Sequence, residues 1–312
     1  MWSIQPEIPL LRYLIALRIN NSWVRLPESN ALALEFSQGI GEQLLNLLPL
    51  HERRPWERIL LPKNDPAFLA MPQPDEMRWH VDTIFHLYPH SKRHGFGDYL
   101  FMEVKLLGER ASHEFFITYL LPAFEVLGSK RQRSDRYVLW GHYDISHIWV
   151  AHGRTWQPIV EDSKLNLKLR PTTAQWAQNL PTRPTDLPTY SQIIWHTAYK
   201  FEQIQIPMLN DLLNQLLERL VNLLPNVENI NQLWQKLTVE EQTDLLFALR
   251  ESEKIRLTHH KITRDRKTQI CSGWQQFETI PAALLPYLEL AAILHLGKDT
   301  HYGLGTFHLT KK

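Results

Sequence analysis

Three of the chain's twelve glycines crowd into one stretch, LGKDTHYGLGTFHL, at Gly297, Gly303 and Gly305. Lys298, Thr300 and His301 stand between them. Small residues let a backbone approach a ligand closely, and consecutive N–H groups can converge on one phosphate oxygen, with Lys298 adding charge. The same glycines would serve a tight helix-to-strand turn that needs positive φ. The spacing is not that of a P-loop, and a helical pattern precedes it rather than a strand.

Fifteen histidines supply further candidates. His86, His90 and His94 have a spacing that would align metal ligands on a helix, but Pro89 and Gly95 oppose a helix there. His142 and His147 flank Asp144 in GHYDISH, as a metal or base site or as ordinary strand residues. The single cysteine, Cys271, lies in a strand-like segment without a nucleophile motif and reads as a buried thiol. Positive charge is densest over residues 128–136 (GSKRQRSDR), where Lys130, Arg131 and Arg133 suit backbone phosphates. A second basic turn holds Arg264, Arg266 and Lys267.

Around these groups the chain has 312 residues, 44% hydrophobic and 21% charged, with a net charge of +1. One cysteine excludes an internal disulfide framework and every multi-cysteine zinc site. Near-neutral charge argues against a protein that coats nucleic acid over its whole surface, while leaving room for one basic face. No apolar run is long enough to span a bilayer, and the start lacks a signal-peptide pattern, so a soluble, cytoplasmic protein is expected.

The elements that must position the candidates alternate. Residues 11–19 and 99–107 read as strands, and 32–48 and 114–127 as helices with apolar residues at helical spacing. Residues 136–150 suggest a strand pair, and 50–94 read as long loops with short strands. Alternation restarts at 165–169, followed by a proline-rich connector over 171–188. Residues 191–224 and 241–249 read as helical. Strands are expected at 255–262, 268–277 and 302–309, and a helix at 281–294. The class is α+β, with two tandem ferredoxin-like (RRM-like) domains carrying long insertions, divided as 1–160 and 161–312.

The stretch LELAAILHLGKDTHYGLGTFHL resembles the carboxy-terminal signature of the CRISPR-associated precursor-RNA-processing endoribonucleases of the RAMP superfamily. In that family a helix enters a glycine-rich loop of the form GK-x-T-x-aromatic-GLG before the last strand. Gly297, Lys298, Thr300, Tyr302, Gly303, Leu304 and Gly305 match it. FGDYLFMEVKLLGERASHEFFITYLLPAFEVLG is similar to the strand and helix that end the family's first domain, and HKITRDRKTQICSGW to its basic strand pair. The resemblance implies two ferredoxin-like domains that bind the repeat segment of a CRISPR transcript. It also implies one metal-independent cut per repeat, with no cofactor, by attack of the RNA's own 2′-OH, leaving a 5′-hydroxyl and a 2′,3′-cyclic phosphate.

Histidine suits either proton transfer in that reaction, and lysine or arginine the developing charge. Many family members carry a catalytic histidine in or just after the first helix. The nearest here is His51, with Arg53 and Arg54 beside it, and His301 in the glycine loop is its rival. His259 and His260 precede the basic turn and would flank RNA there. On this reading RNA contacts fall to Arg53, Arg54, Lys130, Arg131, Arg133, Arg264, Arg266 and Lys267, and to the loop residues Gly297, Lys298, Thr300, Gly303 and Gly305. Two alternatives differ in class. One is a catalytically inactive repeat-RNA-binding subunit of a CRISPR effector complex, partnered by its other subunits; the other is a histidine-rich metalloenzyme.

Overall fold

The protein is described by a computed structural model. It describes residues 3–27, 29–51, 53, 82–88, 91–108, 111–129, 139–161, 164–166, 168–178, 190–200, 206–264, 270–298, 300 and 303–311. The chain divides into two compact units, Ile8–Gln178 and a second made of Met1–Glu7 with Asn179–Lys312.

In the first unit, β1 (Leu10–Ile19) lies at the centre of a sheet because every second residue is apolar. Leu11, Tyr13, Ile15, Leu17 and Ile19 are all buried in one core. A short ribbon, β2 (Trp23–Arg25) with β4 (Arg93–Gly95), leads away from it. Helix α1 (Ser29–Leu47) follows β2, and Phe36, Ile40 and Leu44 at helical spacing enter the core. Strands β3 (Asp82–Leu87) and β5 (Tyr99–Leu107) pair with each other, and β5 pairs with β1. A helical segment then starts at the cap Ser112, whose Oγ accepts from Phe115 N at 3.0 Å. It passes through a π-turn (Phe116–Leu120) into α2 (Leu121–Ser129). At Gly128 a Cβ would lie 2.6 Å from the carbonyl oxygen of Tyr143, so only glycine lets α2 close on the next strand. Tyr143 returns the contact by donating to Phe124 O at 2.8 Å. Strands β6 (Tyr143–His152), β7 (Thr155–Glu161) and β8 (Lys164–Leu165) complete the sheet in the order β3-β5-β1-β6-β7-β8.

One expectation changes here. The strand pair placed at 136–150 is instead β6 with β7, turning at Gly153, whose φ of 58° suits the tight hairpin. In the stretch expected to alternate over 165–169, Leu165 pairs with Val160 of β7 at the edge of the first sheet.

The second unit repeats the plan. Strand β9 (Tyr190–Trp195) and the short β10 (Tyr199–Lys200) precede helices α3 (Leu209–Leu223), α4 (Ile230–Lys236) and α5 (Val239–Lys254). Leu209, Leu212, Leu213, Leu216, Leu217, Leu220 and Leu223 form one buried face of α3. Helix α5 opens with a capping box, in which Thr238 Oγ1 accepts from Glu241 N and Glu241 Oε2 accepts from Thr238 N. Strands β11 (Leu257–Arg264) and β12 (Ile270–Ile280), helix α6 (Leu285–Leu294) and β13 (Phe307–Thr310) follow. β12 pairs with β11 and with β9, and β9 with β13.

The order β11-β12-β9-β13 matches β3-β5-β1-β6, the second, third, first and fourth strands of a βαββαβ unit. Both units are therefore ferredoxin-like, as the sequence predicts. The expected helix over 191–224 is corrected: β9 and β10 fall within its first ten residues, and Pro207 separates them from α3. The last strand begins at Phe307, not at 302. No helix among the described residues is long and apolar enough to cross a membrane.

Candidate nucleic-acid interface

Helix α6 ends at His295, which takes φ of 59° and is fully buried. Its Nδ1 lies 2.9 Å from the carbonyl oxygen of Leu304, tying the two ends of the glycine loop together. The loop then crosses the turn between β9 and β10 at very short range. Leu296 N donates to Gly305 O, Lys298 N to Lys200 O, Gly305 N to Ala198 O and Gly303 N to Thr300 O, at 2.8–3.1 Å. A Cβ on Gly305 would fall 1.8 Å from Leu296 O, and one on Gly297 2.5 Å from Lys200 O; both residues have φ of 85°. These glycines are required by crossing backbones. The N–H groups of Lys298, Gly303 and Gly305 donate within the protein. Thr300, Gly303 and Gly305 are buried, while Gly297 and Lys298 form the exposed rim.

Beside this loop stands a pair the sequence reading missed. His196 follows β9, His308 lies on β13, and their rings stack with centroids 4.2 Å apart. Burial lowers both imidazole pKa values below the ordinary 6.5, and the neighbouring His308 lowers that of His196 further. Neutral imidazoles at neutral pH accept protons. The pair's signal is cross-strand: it appears only once β13 is registered on β9 with His308 opposite Ile194. On the other face, Trp195 packs edge-on against Phe307 and donates to Gln275 Oε1 at 2.8 Å.

The β11–β12 hairpin exposes His259, His260 and Lys261. Gly273, with φ of 135°, lets β12 approach within a Cβ's reach of Lys261 O. Arg264 ends β11, and Cys271 is buried on β12. In the first unit, His51 is exposed just beyond α1, and Arg53 donates from Nε to Leu48 O at 2.9 Å, closing the helix end. The structure thus gathers Gly297, Lys298, Thr300, Gly303 and Gly305 into one loop, while His51 and Arg53 belong to the other unit. His301, Arg54, Lys130, Arg131, Arg133, Arg266, Lys267 and the Arg264 side chain lie outside the described residues.

The remaining histidines are dispersed. His86 sits on β3 and His94 on β4, both buried, and His90 lies outside the described residues. His147 stacks flat on Trp149 at 5.3 Å, and His142 Nδ1 meets Asn21 Nδ2 at 3.1 Å. Among the described residues no three His, Cys, Asp or Glu side chains gather as metal ligands would.

A buried ionic network on the first sheet was also missed. Arg12 donates to Glu103 at 2.6 Å, Lys105 Nζ lies 3.8 Å from the same carboxylate, and Tyr88 OH donates to it at 3.3 Å. The Arg12 guanidinium also lies 5.5 Å from the Trp156 ring centroid. Burial alone would raise the Glu103 pKa; Arg12 and Lys105 outweigh it and hold the carboxyl down to about 2.

Residues 184–307 match the family model of the CRISPR-associated endoribonuclease Cas6. The matched segment contains β9 to β12, α6 and the glycine loop. Among solved structures, a chain of a partial Cas6-RT-Cas1–Cas2 complex is similar at 14% identity and a TM-score of 0.51, with 98% of this chain and 46% of that one covered. A chain of a Cas6-RT-Cas1–Cas2 complex gives the same identity and score, with 29% of its length covered. The present chain therefore spans less than half the length of either. A Cas6 product complex is similar at 14% identity and a TM-score of 0.45, with 97% and 100% covered. Against the curated proteins, nothing matches. At this identity the likeness to the two larger complexes is one of fold.

Proposed function

We propose that this chain, whose residues 184–307 match the model of the Cas6 CRISPR-associated endoribonucleases, binds CRISPR repeat RNA and cuts the precursor transcript within it. The observation that carries the reading is the family match on the segment that builds the glycine loop, whose exposed rim is Gly297 and Lys298. Lys298 would lie against a backbone phosphate, with further phosphates met by Arg53, Arg54, Lys130, Arg131 and Arg133 and by the basic turn at Arg264, Arg266 and Lys267.

The chemistry that fits is transesterification without metal. A base takes the proton of the 2′-OH; the 2′-oxygen bonds to phosphorus as the bond from phosphorus to the 5′-oxygen breaks. An acid gives that leaving oxygen its proton. The products are a 2′,3′-cyclic phosphate and a 5′-hydroxyl. His51, exposed beyond α1, and His301, in the loop, are the proposed proton carriers.

The test is cleavage of a repeat-containing RNA in EDTA, comparing wild type with His51→Ala and His301→Ala. A single cut to a cyclic phosphate, lost in one variant while RNA binding persists, is the expected result. Tight binding with no cut by wild type would reassign the chain as a non-cleaving RNA-binding subunit. Neither binding nor cutting would overturn the reading.

A further inference from the structure

The geometry points to a second RNA-contacting surface, on the first unit: a platform of exposed rings and cations at one end of β1 and β5 that stacks the bases of single-stranded RNA. The inference rests on the RNA reading above and deepens it by naming a surface outside the segment that matches the family.

Strand β5 buries Leu100, Met102 and Val104 in the core, so its alternate residues Tyr99 and Phe101 face the other way. Each is 43% exposed, and their rings lie 6.3 Å apart at 25°. Two more large exposed rings belong to the adjoining ribbon: Phe96, three residues before Tyr99, at 76% exposure, and Trp23, opposite Gly95 in the register, at 57%. Gly97, between them and β5, bonds back to Ile19 of β1, so the ribbon β2–β4 rises directly from this end of the sheet. Four exposed rings in one region form an apolar patch that a protein retains for contact.

The charges decide what the contact is. Arg18 lies opposite Tyr99 in the register and is half exposed. Its partner Asp144 is 3.8 Å away, so that pair is locally neutral. On the ribbon, Arg25 lies directly opposite Arg93, and both are exposed. Like charges paired across two strands repel, and a bound anion relieves them. An apolar protein surface would leave that repulsion in place, and so would a second copy of this chain, which carries the same cations. Rings for base faces beside paired guanidinium groups for phosphates are the combination single-stranded RNA requires.

The experiment is anisotropy of a fluorescent oligouridine of about twelve nucleotides, which stacking should bind without regard to sequence. The double variant Tyr99→Ala/Phe101→Ala should bind at least about tenfold more weakly, and Tyr99→Phe/Phe101→Tyr should bind like wild type. Arg25→Gln/Arg93→Gln should reduce the slope of log affinity against log salt by about 0.7 for each lost phosphate contact. Alanine variants that bind like wild type overturn the platform, and unaltered cleavage of repeat RNA in the same samples leaves the proposed function standing. A wild type that ignores oligouridine overturns the platform whatever it does with repeat RNA; if it also neither binds nor cuts repeat RNA, both readings fall. Self-association lost in the alanine variant, with RNA affinity unchanged, would assign the rings to a second copy and overturn the platform too.

Discussion

The two units share one strand order and solve it with different constraints. In the first, the third strand of the βαββαβ unit, β5, presents Tyr99 and Phe101 outward, and the opposite face of the sheet packs against α1 and α2 through interchangeable aliphatic and aromatic groups. In the second, the corresponding strand β12 needs Gly273, and the loop before its last strand needs Gly297 and Gly305, because carbonyl oxygens occupy the space of a Cβ. The first unit has such a position at Gly128, against the carbonyl oxygen of Tyr143, and is otherwise specified mainly by side chains; the second has three. The family match begins at residue 184 and includes those three glycines. A position that admits only one residue type leaves a mark that a sequence pattern can detect, whereas a core that accepts any apolar residue of suitable size does not.

The strongest way to break this contrast is to add one methyl group in each unit. Gly305→Ala places a Cβ 1.8 Å from Leu296 O at φ of 85° and should destabilise the second unit by about 4 kcal/mol or more. Gly97→Ala meets nothing within 4 Å at φ of 88° and should cost only about 1 kcal/mol, the strain of the left-handed region. Urea unfolding followed by amide hydrogen exchange would read both. Equal losses would remove the distinction.

Next in size is the ionic network of the first sheet. Glu103→Gln leaves Arg12 and Lys105 buried without their carboxylate and should cost about 3 kcal/mol. The double change Arg12→Met/Glu103→Leu should recover part of that loss, since a buried ion pair replaced by apolar groups is often neutral. The sign with pH follows from the depressed pKa. The contribution is complete above the ordinary carboxylate value near 4.5 and is lost as pH falls from there toward about 2. Acid unfolding of wild type should therefore extend below pH 4.5, and the Gln variant should lack that component.

The smallest effect belongs to His196 and His308. Their folded pKa values are depressed, so the unfolded chain binds protons first as pH drops through 6.5. Melting temperature should be highest above that value and decline below it, and His308→Gln should flatten the decline. An unchanged profile would mean that the stacked pair titrates like free imidazole.

Strands β1 and β5 and helices α1 and α2 were legible because alternation and helical spacing agree with their packing. Over 191–200 the strong apolar run of α3, continued backwards across Pro207, suggests helix where β9 and β10 form. Helix α4 escaped notice because seven residues contain too few turns to show a period. The glycine loop was visible as a cluster, but its physical role was not: which N–H groups remain free for a ligand depends on residues 198–200 passing underneath, a contact of long sequence separation. The same limit hid His196 with His308 and Arg12 with Glu103. Each pair forms only when strands far apart in sequence come into register.

Residues 3–7 pack with the second unit although the whole first unit follows them in the chain. Ser3 donates from its N–H and Oγ to Glu241, and Glu7 pairs with Lys236 at 2.7 Å. The polypeptide therefore passes between the units twice, near residues 7–8 and again near 178–179. On the ribosome, Ser3 emerges 238 residues ahead of its partner. At about 5–20 residues per second it waits roughly ten to fifty seconds, while the first sheet can already close. The second unit matures late, and a protease cut at either crossing alone leaves the two halves joined by the other.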